Sequence, residues 1–134
     1  MSEPTKNGCM LIFRSNDWYK GLSPEEMQQV ADHWMAWFKG LMDDGRAVAG
    51  NPLEPGGRIV AERNGRVVTD GPFAESKETI GGYFLLKVNT LEEAVAIAQQ
   101  CPGLPYGIRV EVRPVAAECP LVREVYSEPV HAKV

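Results

Sequence analysis

Residues 79–101 have the sequence TIGGYFLLKVNTLEEAVAIAQQC, in which a strand pattern is followed directly by a helix pattern. The mainly apolar run of residues 79–88 has the length of a strand. Thr90 and Glu93 have the spacing of a capping box, in which each side chain bonds the backbone of the other residue. The sequence therefore predicts a strand and then a helix that begins after Thr90.

The N-terminal part of the chain has the same order. Residues 9–15, CMLIFRS, are short and apolar and predict a first strand. Ser23 as N-cap, Pro24, Glu26 and a final Gly45 predict a long helix. At 100° per residue its apolar face contains Met27, Ala31, Trp34, Phe38, Leu41 and Met42, flanked by Val30, Met35 and Trp37. This face should pack on a sheet.

Residues 58–71, RIVAERNGRVVTDG, predict two strands joined by Asn64-Gly65, a favoured two-residue hairpin turn. A two-residue turn fixes the register, and it pairs Ile59 with Asp70 at the open end of the hairpin. The same register pairs Ala61 with Val68 and Arg63 with Arg66. Asp70 either starts an Asp-Gly-Pro turn by bonding its own backbone or stands over a cavity.

Residues 47–57 are loop-like and start with a short strand, and residues 106–115, YGIRVEVRPV, predict a final strand. The order of elements is that of an α+β protein, a ferredoxin-like βαββαβ sandwich with an extra β-hairpin. We assign residues 1–115 to this domain and residues 116–134 to a C-terminal tail.

The predicted strands alternate between a face for the helices and an open face. The open face combines apolar, aromatic and charged residues: Met10, Ile12, Arg14, Gly81, Tyr83, Leu85, Lys87, Arg109, Glu111 and Arg113. Apolar side chains on an uncovered sheet mark an interaction surface. We therefore expect a homodimer in which two open faces meet and leave a cavity between the sheets.

Composition excludes several classes of function. The chain has 134 residues and no apolar run near the roughly 20 residues that cross a bilayer, so one domain without membrane insertion is expected. A net charge of -4 without a basic cluster argues against nucleic-acid partners. The three cysteines form no C-x-x-C pair, the N-terminus has no signal-peptide pattern, and no glycine-rich phosphate loop occurs. We expect a cytoplasmic protein with reduced cysteines and without metal or cofactor.

The motif GRVVTDGPFAESKETIGGYFLL, followed later by VEVRPV, resembles the YCII-related proteins and specifically their DGPF subgroup, over residues 10–115. The resemblance implies a dimeric α+β barrel. One related branch looks like dehydrochlorinases of chlorinated hydroquinones with a His/Asp pair, fold relatives include muconolactone isomerases, and many DGPF members are encoded beside extracytoplasmic-function sigma factors. The branch histidine aligns with Trp34 here. The neighbouring His33 lies off the apolar face and should face solvent, and His131 falls in the tail.

Two functions follow as expectations. In the first, the protein is a lyase-like or isomerase-like enzyme for a phenolic or lactone-like molecule, in which Asp70 or Glu78 is the acid or base and Lys77 orients the ligand. In the second, it is a non-catalytic sensing or interaction protein associated with an extracytoplasmic-function sigma factor. The expected ligand-binding residues are Lys77, Tyr83, Arg109, Glu111 and Arg113.

Each site residue has a structural alternative. The segment with Lys77 and Glu78 is equally consistent with a solvated loop, with Gly81 as a β-bulge. Arg109, Glu111 and Arg113 form either a ligand clamp or an ion-pair network at the dimer interface. Trp18, Tyr19 and Trp37 are candidates for the wall of a cofactor pocket, but aromatic residues at such spacing are usually core residues, and no phosphate loop or metal-ligand cluster accompanies them.

Overall fold

A computed structural model describes residues 4–15, 17–70 and 80–126 of the chain. The elements in chain order are β1 (Cys9–Arg14), α1 (Pro24–Asp43), β2 (Ala47–Pro52), β3 (Ile59–Arg63), β4 (Arg66–Asp70), β5 (Ile80–Leu86), α2 (Leu91–Ala98), β6 (Arg109–Pro114) and α3 (Pro120–Tyr126). A short 3-10 helix, Leu104–Tyr106, precedes β6.

Four of the strands form an antiparallel sheet in the order β2-β5-β1-β6, so β1 and β5 lie in its centre. The fold is mixed α+β, with the predicted β-α-β-β-α-β order and the hairpin β3–β4 inserted before β5. Leu11 of β1 and Leu86 of β5 pack in one core with Leu41 of α1 and Ile97 of α2. Both helices therefore cover the same face of the sheet.

The opposite face, here called the open face, carries alternate residues of the central strands. The predicted alternation is confirmed for β1 and for residues 83–86 of β5, but a β-bulge breaks it at Gly81, and Lys87 follows the end of β5. In β1, Leu11 is buried against the helices while Met10 and Ile12 turn to the open face and are half-buried. Met10 pairs with Leu85 on one side and with Arg113 on the other. The open-face residues are Met10, Ile12, Arg14, Tyr83, Leu85, Arg109, Glu111 and Arg113.

Both predicted capping boxes are present. The backbone N–H of Glu26 donates to the hydroxyl of Ser23 at 3.1 Å, and the Ser23 N–H donates to the Glu26 carboxylate at 2.9 Å. Thr90 and Glu93 make the same exchange at the start of α2. These bonds satisfy backbone donors that would otherwise lack partners in the first helical turn.

The predicted apolar face of α1 is partly wrong, because the helix is rotated relative to it. Val30 and Leu41 are buried, whereas Met27, Ala31 and Met42 are exposed. The large aromatic residues between them set the orientation, since their rings fill the space above the sheet. The half-buried aromatic residues of α1 that pack on the core are Trp34, Trp37 and Phe38.

The hairpin β3–β4 has the predicted register, with Ile59 opposite Asp70 and Arg63 opposite Arg66. It forms a separate two-stranded sheet. Val60 and Val67 are 65% and 73% exposed. Apolar side chains thus project from a hairpin that is not hydrogen-bonded to the main sheet.

The predicted tail contains a helix, α3, that was not predicted from the sequence. All its residues are exposed, including Leu121 and Tyr126. Cys9 and Cys101 are buried as small apolar groups, and Cys119, just before α3, is exposed. In the described part of the chain no helix combines the length and apolar character needed to span a bilayer.

Candidate ligand pocket

A cavity of about 480 Å³, here called the aromatic pocket, opens between α1 and the ends of β2 and β5. Its lining includes the loop after β1, the loop after β2 and one residue before β6. The lining residues are Phe13, Ser15, Trp18, Tyr19, Trp34, Met35, Phe38, Gly50, Asn51, Pro52, Leu53, Pro55, Gly81, Gly82, Tyr83, Phe84 and Ile108.

Glycines in β2 and β5 allow the strands and rings at the pocket to approach closely. A Cβ on Gly82 would lie 2.9 Å from the carbonyl oxygen of Asn51, which is too close for any other residue without a backbone shift. A Cβ on Gly50 would lie 2.8 Å from the ring of Phe84. The floor of the pocket is therefore formed by backbone and aromatic rings.

Gly81 is the extra residue of a β-bulge in β5. Phe13 pairs with Gly82 and the next residue, Arg14, pairs with Ile80, so Gly81 has no partner on β1. The carbonyl of Gly81 instead accepts a hydrogen bond from the N–H of Leu53 at 2.8 Å. The β-bulge at Gly81 is thus confirmed, and it lies at the pocket, where such features often redirect the chain.

Aromatic contacts hold the walls in place. The Trp34 ring lies 5.0 Å from Phe13 edge-on, and Trp18 stacks on Trp34 at 5.8 Å between ring centroids. Phe38 and Phe84 lie 4.5 Å apart. Such packed rings have few alternative positions, so the pocket is largely formed before any ligand enters.

Polar groups are few and stand at the rim. The Asn51 amide donates to the hydroxyl of Tyr83 across 3.4 Å, and the Ser15 hydroxyl donates to the Asp17 carboxylate at 2.9 Å. Ser15 has a φ of 93°, an uncommon left-handed conformation for a residue with a side chain. None of the described residues that line the pocket carries a formal charge.

The family model described as the YCII-related domain matches residues 9–119. The chain belongs to the YCII-related domain family. A comparison with curated proteins gave no match. The matched model covers the YCII-related family as a whole, so membership of the DGPF subgroup stays a prediction from the motif.

In this YCII-related chain the predicted site residues fall into separate places. Tyr83 lines the aromatic pocket. Glu111 lies on the open face, where its carboxylate binds Arg14 at 2.7 Å and Arg113 at 3.1 Å. The bonds from Arg113 and Arg14 hold the pKa of Glu111 below its usual value. An ion-pair network thus joins Arg14, Glu111 and Arg113, and Arg109 lies opposite Arg14 in the β1–β6 register on the same face.

Other candidates lie outside the described side chains. The backbone of Asp70 ends β4 opposite Ile59, but its side chain, like Lys77 and Glu78, falls outside the described part of the YCII-related domain. His33 is exposed on α1, as expected, and lines none of the described cavities. His131 also lies outside the described residues.

The sequence favoured a core role for Trp18, Tyr19 and Trp37. Trp18 and Tyr19 line the pocket, whereas Trp37 packs in the core with its ring 6.1 Å from Phe13. Trp34 and Phe38 were assigned only to a packing face, although they form the pocket side of α1. The available signal was the concentration of large rings on α1 opposite glycine-containing strands.

Proposed function

We propose that the protein binds a small, neutral, mainly aromatic molecule in the aromatic pocket. The observation that carries this proposal is a cavity of about 480 Å³ whose described walls are rings, glycine backbone and aliphatic side chains. Ligand sites of small molecules have volumes of roughly 300–1,000 Å³ and mostly apolar linings. A flat ring would stack on Trp34 or Trp18 and displace water from apolar surface.

The lining of the pocket also favours an uncharged ligand. A charged group moved from water into an apolar site costs free energy unless an opposite charge meets it. Inside the pocket the described lining offers only the hydroxyls of Ser15 and Tyr19 and backbone groups, because the side chains of Tyr83 and its cross-strand partner Asn51 lie on the open-face side of the sheet. These groups suit one hydroxyl or carbonyl on the ligand, which would fix its orientation at the rim.

Catalysis is the second candidate, and the position of β5 favours it. Gly81 and Gly82 line the pocket, and Glu78 and Lys77 precede them closely in the sequence. In this proposal Glu78 or Asp70 transfers a proton in an elimination or isomerisation of a phenolic or lactone-like ligand, while Lys77 orients it. Without turnover, the same pocket would serve a ligand sensor, as expected for a DGPF member that acts with a sigma factor.

We also propose that the chain forms a homodimer through its open face and completes an α+β barrel with its copy. Met10, Ile12 and Leu85 place aliphatic surface at the centre of this face. Glu111 offsets the neighbouring arginine charges, so the face can be desolvated at a lower cost. In such a dimer Arg109, Glu111 and Arg113 serve the interface instead of the ligand.

The binding proposal is tested with a panel of small neutral aromatic, anionic aromatic and aliphatic compounds. Trp18 and Trp34 line the pocket, so binding should quench tryptophan fluorescence. We expect neutral one-ring and two-ring compounds to bind more tightly than their carboxylate analogues. Equal binding of the aliphatic and aromatic compounds, or a preference for anions, would contradict the proposal.

Variants locate the binding. Met35 is 68% exposed at the pocket, so Met35→Trp adds a large ring there with little effect on the core. Overpacking costs about 1–3 kcal/mol, which corresponds to a loss of affinity of about 5- to 150-fold. The matched control Ala36→Trp changes an exposed neighbour outside the pocket and should bind like the wild type. Titration calorimetry on both variants separates the two results.

A further inference from the structure

A second, smaller cavity of about 260 Å³ lies beside the aromatic pocket on the N-terminal half of α1. Its lining residues are Trp18, Tyr19, Met27, Val30, Ala31 and Trp34. Three of these, Trp18, Tyr19 and Trp34, also line the aromatic pocket. The two cavities therefore share one wall of three aromatic side chains.

The three rings of this wall are held unequally. Trp34 packs against Phe13 and Trp37 at 5.0 and 5.5 Å, so it is fixed from several sides. Trp18 stacks between Trp34 at 5.8 Å and Tyr106 at 6.4 Å. Tyr19 is 41% exposed, and its ring contact within the described chain is with Trp18 at 5.5 Å. Rotation of Tyr19 thus disturbs fewer contacts than movement of either tryptophan.

The smaller cavity has its own chemistry. Apart from the shared wall, Met27, Val30 and Ala31 present only methyl, methylene and thioether groups. Contact between such a surface and an aliphatic chain is favourable because it removes apolar area from water. The same surface offers no hydrogen-bond partner to a polar group. Methionine also adapts its shape to a flexible occupant. The larger cavity has the flat aromatic walls that a ring requires.

We infer that the two cavities form one site with two compartments, in which the aromatic pocket holds a ring and the smaller cavity holds an aliphatic substituent of that ring. This inference rests on the proposed function, because it extends the same ligand past the shared wall. Rotation of the Tyr19 ring admits the substituent. The position of this ring therefore limits the length of the ligand that binds. Together the two volumes stay within the range of ordinary ligand sites.

The test uses phenol, para-ethylphenol, para-butylphenol and para-hexylphenol, titrated into the full chain by calorimetry. In the wild type we expect the affinity to rise by about fourfold for each methylene that becomes buried. Ala31 lines only the smaller cavity, so Ala31→Phe should abolish the dependence on chain length and leave phenol binding unchanged. Ala36→Phe alters an exposed residue of α1 that lines neither cavity and should behave like the wild type.

A second variant makes the result independent of one substitution. Met27→Trp narrows the smaller cavity from another position and should also remove the gain from the alkyl chain. If the affinity still rises with alkyl length in both variants, the alkyl group binds outside the smaller cavity. This result would overturn the two-compartment site but not the aromatic pocket. A wild-type affinity that does not change with chain length would overturn it equally. If neither phenol nor any alkylphenol binds, the proposed function fails together with this inference.

Discussion

The guanidinium of Arg14 on β1 donates a hydrogen bond to the carboxylate of Glu111 on β6, with 2.7 Å between Nη1 and Oε1. Arg113 binds the other oxygen of the same carboxylate at 3.1 Å. One acidic side chain thus connects two basic residues on adjacent strands of the open face. The network is electrostatically favourable only while Glu111 is ionised.

The first prediction is a pH dependence that Glu111 confers on stability. The pKa of Glu111 is lowered by Arg113 and Arg14. A carboxylate with a lowered pKa in the folded state stabilises the protein above its unfolded pKa and loses that contribution as the pH falls. The wild type should therefore be more stable than Glu111→Gln at neutral pH, and the difference should shrink below the ordinary value of 4.5.

Thermal melting of both proteins between about pH 7 and pH 3 measures this effect. Glu54→Gln is the control, because Glu54 is exposed in the loop after β2. Parallel curves for the wild type and Glu111→Gln across the whole range would contradict the prediction.

The second prediction concerns Leu85 and the proposed dimer. Leu85 lies between Met10 of β1 and Ala49 of β2 on the open face. In a dimer through this face, Leu85→Asp would bury a carboxylate without a partner, at a cost of several kcal/mol. We expect the wild type to sediment as a dimer at micromolar concentration and Leu85→Asp to sediment as a folded monomer.

The control for this experiment is Val95→Asp. Val95 is exposed on α2, in the helix layer on the other side of the sheet. The Val95→Asp variant should therefore sediment like the wild type. A wild-type monomer, or a Leu85→Asp dimer as stable as the wild type, would exclude the open face as the interface.

The third prediction ranks the reactivity of the three cysteines. Hydrogen bonds from the backbone N–H groups of Val122 and Leu121 lower the pKa of exposed Cys119. Burial raises the pKa of Cys101 to about 11 and also raises that of Cys9. Because the thiolate is the reactive form, a pulse of iodoacetamide on the native protein should modify Cys119 first.

Peptide mass spectrometry after the pulse identifies the modified thiol. In Cys119→Ser the native protein should take up almost no label, and denaturant should restore labelling of the two buried cysteines. Fast native labelling of Cys101 would show that its surroundings open more readily than its burial implies.

Local signals explain how much of the fold was predictable. Ser23 and Glu26 define the start of α1 through bonds between near neighbours, and the Asn64-Gly65 turn fixes every pair of its hairpin. The strand alternation likewise assigned Leu85 to the open face. In each case the deciding interaction lies within a few residues of the sequence or follows from a period of two.

The pocket was less predictable because it depends on contacts distant in sequence. The space next to Gly50 and Gly82 forms only when β2 pairs with β5, and the inserted hairpin separates these two strands in the sequence. The helical wheel placed Trp34 and Phe38 on the packing face of α1, but it does not contain the ring packing that leaves a cavity beside them. The sequence therefore predicted the rings and the glycines but not the cavity between them.

The last prediction separates ligand binding from catalysis with two isosteric substitutions. Asp70→Asn keeps the side-chain bonding that supports an Asp-Gly-Pro turn and removes the charge. Glu78→Gln likewise keeps the size of the side chain and removes the charge of the carboxylate that precedes Gly81 and Gly82 of the pocket. Neither change should move the melting temperature appreciably, so an effect on turnover can be assigned to chemistry.

If the protein is an enzyme, at least one of these variants should lose about 10²- to 10⁴-fold in kcat, because a missing general acid or base costs that much. Ligand affinity should change less than kcat, since the described aromatic walls that hold the ring are unaltered. Glu54→Gln, in an exposed loop residue outside the pocket lining, is the charge-matched control. Wild-type turnover in both variants would remove Asp70 and Glu78 from the reaction. Binding without turnover in the wild type would instead favour the ligand sensor over the enzyme.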